Sequence, residues 1–115
     1  MVSTIEQEVT TDSWNTIYGD SKYRKSGRTV FVNLHGSVNL RTIDNFGYVQ
    51  NGSNQDFVLP EGYRSNEETY FFATRGGAVT NAPYLCGVMT NGKIVVYHRG
   101  DDVKYLFGNV CFSTY

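Results

Sequence analysis

The sequence predicts an all-β domain, a compact antiparallel β-barrel or sandwich, and three observations lead to it. Apolar and polar residues alternate with a period of two. Glycine, asparagine or serine interrupts the alternation about every 8 to 12 residues, which is the spacing of short strands in sandwiches and barrels. Aromatic residues make up 15% of the chain and charged residues only 18%, whereas a helical bundle favours Ala, Leu, Glu and Lys. The length of 115 residues allows one folded domain.

The alternation is clearest in residues 28–34, where every second residue is apolar and faces the core: Val30, Val32 and Leu34. A tight turn at Ser26-Gly27 is expected to join this strand to an earlier one within residues 14–24. Residues 38–43 alternate again, with Val38 and Leu40 directed inward.

The strongest hairpin signal is Asn91-Gly92, between residues 85–90 and 93–98. Asn-Gly supplies positive φ at both central positions, so a type I′ turn is expected. A last pair of strands, residues 103–107 and 109–114, is expected to break or bulge at the intervening glycine.

Three segments rich in Asn, Gly and Tyr interrupt the alternation and are expected to be loops: residues 44–54, 60–68 and 75–83. Loops carry function more often than strands do. Residues 1–12 are polar and β-branched and are expected to be the end of a neck or linker, with the folded domain in residues 13–115.

Charge and hydropathy argue against several classes of function. Ten basic residues against 11 acidic ones give a net charge of −1, whereas a sequence-independent nucleic-acid binder carries a basic face. No apolar run approaches the ~20 residues of a membrane span. We therefore expect neither a nucleic-acid partner nor a membrane partner.

Cysteine and histidine are too sparse and too scattered for a metal site. Cys86, Cys111, His35 and His98 are far apart in the sequence, whereas structural zinc needs about four clustered ligands. No metal or cofactor is expected. Both cysteines lie in apolar, strand-like surroundings and are expected to be buried free thiols, with a disulfide as the alternative.

Residues 97–105 form the candidate site. A sugar offers an apolar ring face and a rim of hydroxyls, which proteins match with an aromatic platform and charge-assisted hydrogen bonds. The segment supplies that chemistry through Tyr97, His98, Arg99, Asp101 and Asp102. The plain alternative is a polar hairpin tip with His98 at the surface.

Trp14, the single tryptophan, is either a core or interface anchor or a further sugar platform. Catalysis is not expected. The carboxylate pairs Glu67-Glu68 and Asp101-Asp102 are sequence neighbours, which point to opposite faces of a strand, and no nucleophile motif is present.

A series of short motifs resembles a known family. "LPEGYR" (residues 59–64) is similar to a turn of tail-tip and baseplate proteins from phages of Gram-positive bacteria, although Ser65 stands where the family usually has a second proline, which is expected to loosen the turn. The order of the other motifs also fits: an early Trp, "YRKSGRTV", "LHGSV", "NGKIVV" and a closing "FGNVCFSTY". Over about residues 13–115 the chain resembles the C-terminal head domain of a phage receptor-binding protein.

This resemblance implies a homotrimeric head at the virion tail tip or baseplate, joined to other tail proteins through its N-terminal end. It implies binding of a host cell-wall saccharide, a polysaccharide or teichoic acid, without a cofactor and without catalysis. The alternatives are a structural tail or baseplate scaffold and a small glycan depolymerase.

Overall fold

The computed structural model describes residues 13–75 and 83–114 and confirms the all-β prediction. In this part of the chain there are nine strands and no helix. The strands are β1 (Asn15–Tyr18), β2 (Ser21–Ser26), β3 (Thr29–Ser37), β4 (Leu40–Ile43), β5 (Phe46–Val49), β6 (Thr69–Ala73), β7 (Tyr84–Val88), β8 (Ile94–Tyr97) and β9 (Tyr105–Ser113).

The strands form two antiparallel sheets that pack against each other. One sheet has the order β1-β2-β3-β9 and the other has the order β4-β5-β8-β7-β6. Their inward side chains form a single apolar core, to which β3 contributes Val30, Val32 and Leu34 as predicted. At one edge the two sheets are joined directly, because Thr74 and Phe107 exchange two backbone hydrogen bonds of 3.0 and 2.8 Å.

The tight turn at Ser26-Gly27 is present, and Gly27 has a φ of 61°. The hairpin at Asn91-Gly92 also forms, but the expected type I′ turn is wrong. Gly92 has a φ of 90°, and Asn91 is not among the residues with positive φ. The N–H of Gly92 donates to the carbonyl of Met89, and that of Met89 donates to the carbonyl of Lys93. This pattern is a type I turn followed by a glycine bulge, the usual form of a three-residue hairpin loop.

The expected loop over residues 44–54 is wrong in its first half, which contains β5. Phe46 and Tyr48 lie on the outer face of the sheet, while Gly47 and Val49 face inward and are buried. A glycine at an inward position has no apolar side chain, so the alternation is not visible in the sequence. A larger residue would be crowded here, because a Cβ on Gly47 would lie 3.1 Å from the carbonyl oxygen of Arg41.

The expected break at Gly108 is also wrong, since β9 runs without interruption from Tyr105 to Ser113. The glycine serves instead as a point of close approach between the two sheets. A Cβ on Gly108 would lie 2.8 Å from the carbonyl oxygen of Phe72.

The two cysteines are free thiols, but they differ in exposure. Cys86 is buried between the sheets as expected. Cys111 is exposed, so its expected burial is wrong, because the alternation of β9 places it on the outer face of the four-stranded sheet.

Residues 60–68 form a loop as predicted, and the "LPEGYR" segment forms a turn. The N–H of Tyr63 donates to the carbonyl of Pro60 at 3.0 Å, and Gly62 has a φ of 92°. Ser65 is buried, and its hydroxyl donates to the carbonyl of Glu67 at 2.6 Å. The hydrogen bonds of the Ser65 side chain therefore lie in the segment that follows the turn. The expected neck or linker, residues 1–12, and most of the predicted loop over residues 75–83 lie outside the described residues.

Candidate functional site

A groove of about 630 Å³ lies at one end of the sandwich. One wall is the segment between β8 and β9, and the other comprises the end of β3, the start of β4 and the turn after it. Polar side chains dominate the lining, and seven of the nine residues of the candidate segment 97–105 contribute to it: His98, Gly100, Asp101, Asp102, Val103, Lys104 and Tyr105.

The β8–β9 segment is held in place by backbone hydrogen bonds to its surroundings. Arg99 and Gly100 both have positive φ, at 57° and 83°, which turns the chain sharply after β8. The N–H of Arg99 donates to the carbonyl of Asn45 at 3.1 Å, and the carbonyl of Lys104 accepts from the N–H of Val38 at 3.0 Å. A non-glycine residue in this conformation costs about 1 to 3 kcal/mol and is most often found at functional sites.

His98 is buried, with only 2% of its surface exposed, which contradicts the expectation of a surface histidine. It continues the inward-facing row of Ile94 and Val96 just beyond the end of β8. The N–H of Gly100 donates to its Nδ1 at 3.0 Å. In the neutral ring the proton therefore sits on Nε2.

The Nε2 atom of His98 is buried and has no hydrogen-bond partner within the described chain. A buried donor without a partner costs roughly 1 to 3 kcal/mol. A ligand or water oxygen that accepts from this atom would recover that energy.

Asp101 is exposed in the groove, and a hydrogen bond from a buried tyrosine orients its carboxylate. The buried Tyr84 hydroxyl donates to Oδ2 of Asp101 at 2.6 Å. Burial raises the pKa of Tyr84, and the hydrogen bond to Asp101 raises it further, so this phenol keeps its proton and remains a donor. The other carboxylate oxygen of Asp101 has no partner in the described chain and is available to a ligand.

The groove is acidic. It is lined by three carboxylates, those of Asp44, Asp101 and Asp102, and by one ammonium group, that of Lys104. Asp102 and Lys104 form an exposed ion pair of 3.7 Å, which surface exposure makes weak. The carboxylates are hydrogen-bond acceptors for the hydroxyl groups of a neutral ligand.

An exposed aromatic ring is also present at the groove. Tyr105, in β9, is 55% exposed and lies at the margin of the groove. Tyr18, in β1 at the opposite edge of the four-stranded sheet, also lines the groove. The predicted site residue is Tyr97 rather than Tyr105, although the two lie at opposite ends of the candidate segment. The groove residues Asp44 and Tyr18 carry no signal in the sequence, because the turn after β4 and the end of β1 bring them there from distant parts of the chain.

The structure brings together three of the six predicted site residues, His98, Asp101 and Asp102. Arg99 adjoins the groove, but its guanidinium stacks 4.3 Å over the ring of Tyr84 and donates to the carbonyl of Pro83.

Tyr97 and Trp14 also lie outside the groove lining. Tyr97 is on the outer face of the five-stranded sheet, near Phe46. Trp14 is 47% exposed on the outer face of the four-stranded sheet, so it is not a core anchor.

Within residues 13–75 and 83–114, no three side chains among His, Cys, Asp and Glu come together as a metal site would require. Comparisons with family models, with curated proteins and with solved structures gave no significant match.

Proposed function

We propose that this chain is the head domain of a phage tail protein and adheres to a host cell-wall saccharide through the groove, without catalysis. It acts at the tail tip or baseplate as a homotrimer joined to other tail proteins by its N-terminal end. The observation that carries the proposal is the set of exposed groups in the groove, the carboxylates of Asp101 and Asp102 and the ring of Tyr105.

These groups match the chemistry of a sugar. Asp101 and Asp102 offer acceptors for sugar hydroxyls, and hydrogen bonds to charged groups are about twice as strong as neutral ones. Tyr105 offers an exposed ring for the apolar face of a sugar. Acceptors and an exposed ring are thus available in one place.

Binding of purified wall polysaccharides from a panel of Gram-positive bacteria tests this function. We expect Asp101→Asn to weaken binding about tenfold, because it loses the charge of the acceptor and keeps the hydrogen bond from Tyr84. Glu61→Gln is the matched control, since Glu61 is exposed in the loop after β5 and does not line the groove. If Asp101→Asn, Asp102→Asn and His98→Gln all bind as the wild type does, the groove is not the site.

The trimer is supported by the outer face of the five-stranded sheet. Tyr70, Phe72 and Leu85 are exposed there, Phe72 to 65%, and apolar patches of this kind mark contact surfaces on soluble proteins. Sedimentation equilibrium of the full chain should give the mass of a trimer. A monomer with these side chains exposed would remove this part of the proposal.

The same apolar face supports the second candidate, a structural tail or baseplate scaffold. A well-folded trimer that binds no wall polysaccharide would favour the scaffold. Release of reducing ends from wall material would instead establish a depolymerase.

A further inference from the structure

The outer face of the four-stranded sheet continues from the groove along β3 and β9. On this face Asn33, His35 and Ser37 lie opposite Asn109, Phe107 and Tyr105 in the strand register. Ser37 and Tyr105 also line the groove. The row therefore begins at the proposed saccharide site and leads away from it.

The far end of the row holds a stack of three side chains. The guanidinium of Arg24 lies 5.0 Å from the ring of Trp14 and 5.0 Å from the ring of Phe31. A cation held between two aromatic faces fixes the indole in place. Because Trp14 is half exposed, its ring is presented as a supported, flat platform.

A hollow of about 430 Å³ beside this platform is lined by Trp14, Asp20, Lys22, Asn33 and His35. The four polar side chains make no hydrogen bond or ion pair with one another or with the rest of the described chain. They are donors and acceptors without partners around an aromatic ring, which is the set of groups that a sugar requires.

A second hollow, of about 320 Å³, adjoins Trp14 and Asn33 and contains Cys111. The distance along β3 from Asn33 to Ser37 is about 13 Å at ~3.3 Å per residue. The stack and the groove are thus further apart than one sugar ring can bridge, and the polar row connects them.

We propose that the Trp14 platform is a second carbohydrate subsite, and that a wall polysaccharide binds across several sugar units from the groove to Trp14. This inference rests on the proposed function of the groove. It assigns Trp14, Lys22, Asn33 and His35 to sugar units that the groove does not contact.

Fluorescence titration of the full chain tests this subsite, because Trp14 is the only tryptophan and reports on this face alone. The probes are size-fractionated fragments of the wall polysaccharide that the wild type binds. Short fragments should bind the groove and leave the indole emission unchanged. Long fragments should change the emission and bind roughly tenfold more tightly. Trp14→Ala, whose binding is measured by calorimetry because it lacks the indole, should remove that gain.

Two further variants and one label separate binding from folding. Trp14→Phe keeps a flat ring and should retain most of the gain, and Val58→Ala, at an exposed site elsewhere, should change nothing. A bulky maleimide on Cys111 should block long fragments and spare short ones.

If the wild type binds but Trp14→Ala shows the same dependence on fragment length, the second subsite is refuted and the groove stands. If Trp14→Ala abolishes binding while Asp101→Asn has no effect, the groove assignment fails instead. If the indole is shielded in the free protein and responds to no fragment, the face is an interface between copies and the inference is overturned.

Discussion

At the scale of single residues, His98 shows how the alternation of side chains along a strand determines which groups are buried. Its position two residues after Val96 places it on the core side of β8, and the turn formed by Arg99 and Gly100 closes over it. One ring nitrogen accepts from a backbone N–H, and the other has no hydrogen-bond partner among the described residues. The sequence points to His98 but not to its burial. The face of the sheet that a residue occupies just beyond a strand depends on where that strand ends.

The two cysteines differ through the same alternation, and their reactivity should differ accordingly. Burial raises the pKa of the Cys86 thiol to about 12, so the thiolate that reacts with disulfide reagents is scarce at neutral pH. Cys111 is exposed on β9. We therefore expect an aromatic disulfide reagent to titrate one thiol in the native protein and two in denaturant.

Cys111→Ser provides the control for that titration, since it should leave no fast-reacting thiol. Two fast thiols in the native protein would contradict the burial of Cys86. The absence of any fast thiol would contradict the exposure of Cys111.

At the scale of elements, two glycines with the same φ make a matched pair. Gly36 and Gly92 both have a φ of 90°. A Cβ on Gly36 would meet nothing within 4 Å, whereas a Cβ on Gly92 would lie 2.7 Å from the carbonyl oxygen of Leu59 and 2.9 Å from its nitrogen. The β7–β8 hairpin thus packs directly against the backbone of the loop that precedes "PEGYR".

Alanine substitutions at these two positions separate conformational strain from collision. Gly36→Ala should cost about 1 to 2 kcal/mol from strain alone. Gly92→Ala should cost about 2 kcal/mol more, because the Leu59 backbone must move. Urea unfolding followed by circular dichroism measures both, and equal losses would contradict the packing of Leu59 on the hairpin.

The strands that sequence analysis identified are those whose inward residues are large. β3 and β8 have valine, leucine or isoleucine inward, β7 has Tyr84, Cys86 and Val88 inward, and a turn signal lies beside each. The sequence predicts a loop over β5 because one of its two inward residues is Gly47, which has no apolar side chain to continue the alternation. The close approach at Gly108 involves β6, which is distant from β9 in the sequence. The two strands meet near the bridge between Thr74 and Phe107.

At the scale of the whole molecule, the sandwich separates three kinds of surface. The β6–β7 part of the outer face of the five-stranded sheet exposes Tyr70, Phe72 and Leu85, the outer face of the four-stranded sheet carries the Trp14 platform and the polar row, and the acidic groove lies at one end. The candidate segment could be found from sequence because its polar residues are contiguous. Asp44, Tyr18 and the separate location of Trp14 could not, because strand order and sheet packing decide them.

The central claim is that the groove binds a wall saccharide, and hydrogen–deuterium exchange of the full chain at saturating polysaccharide tests it most directly. The account predicts slower exchange in residues 98–105 and 37–44, which form the two walls of the groove. Bound polysaccharide that leaves both segments unchanged, or protects only strands β6 and β7, would contradict it.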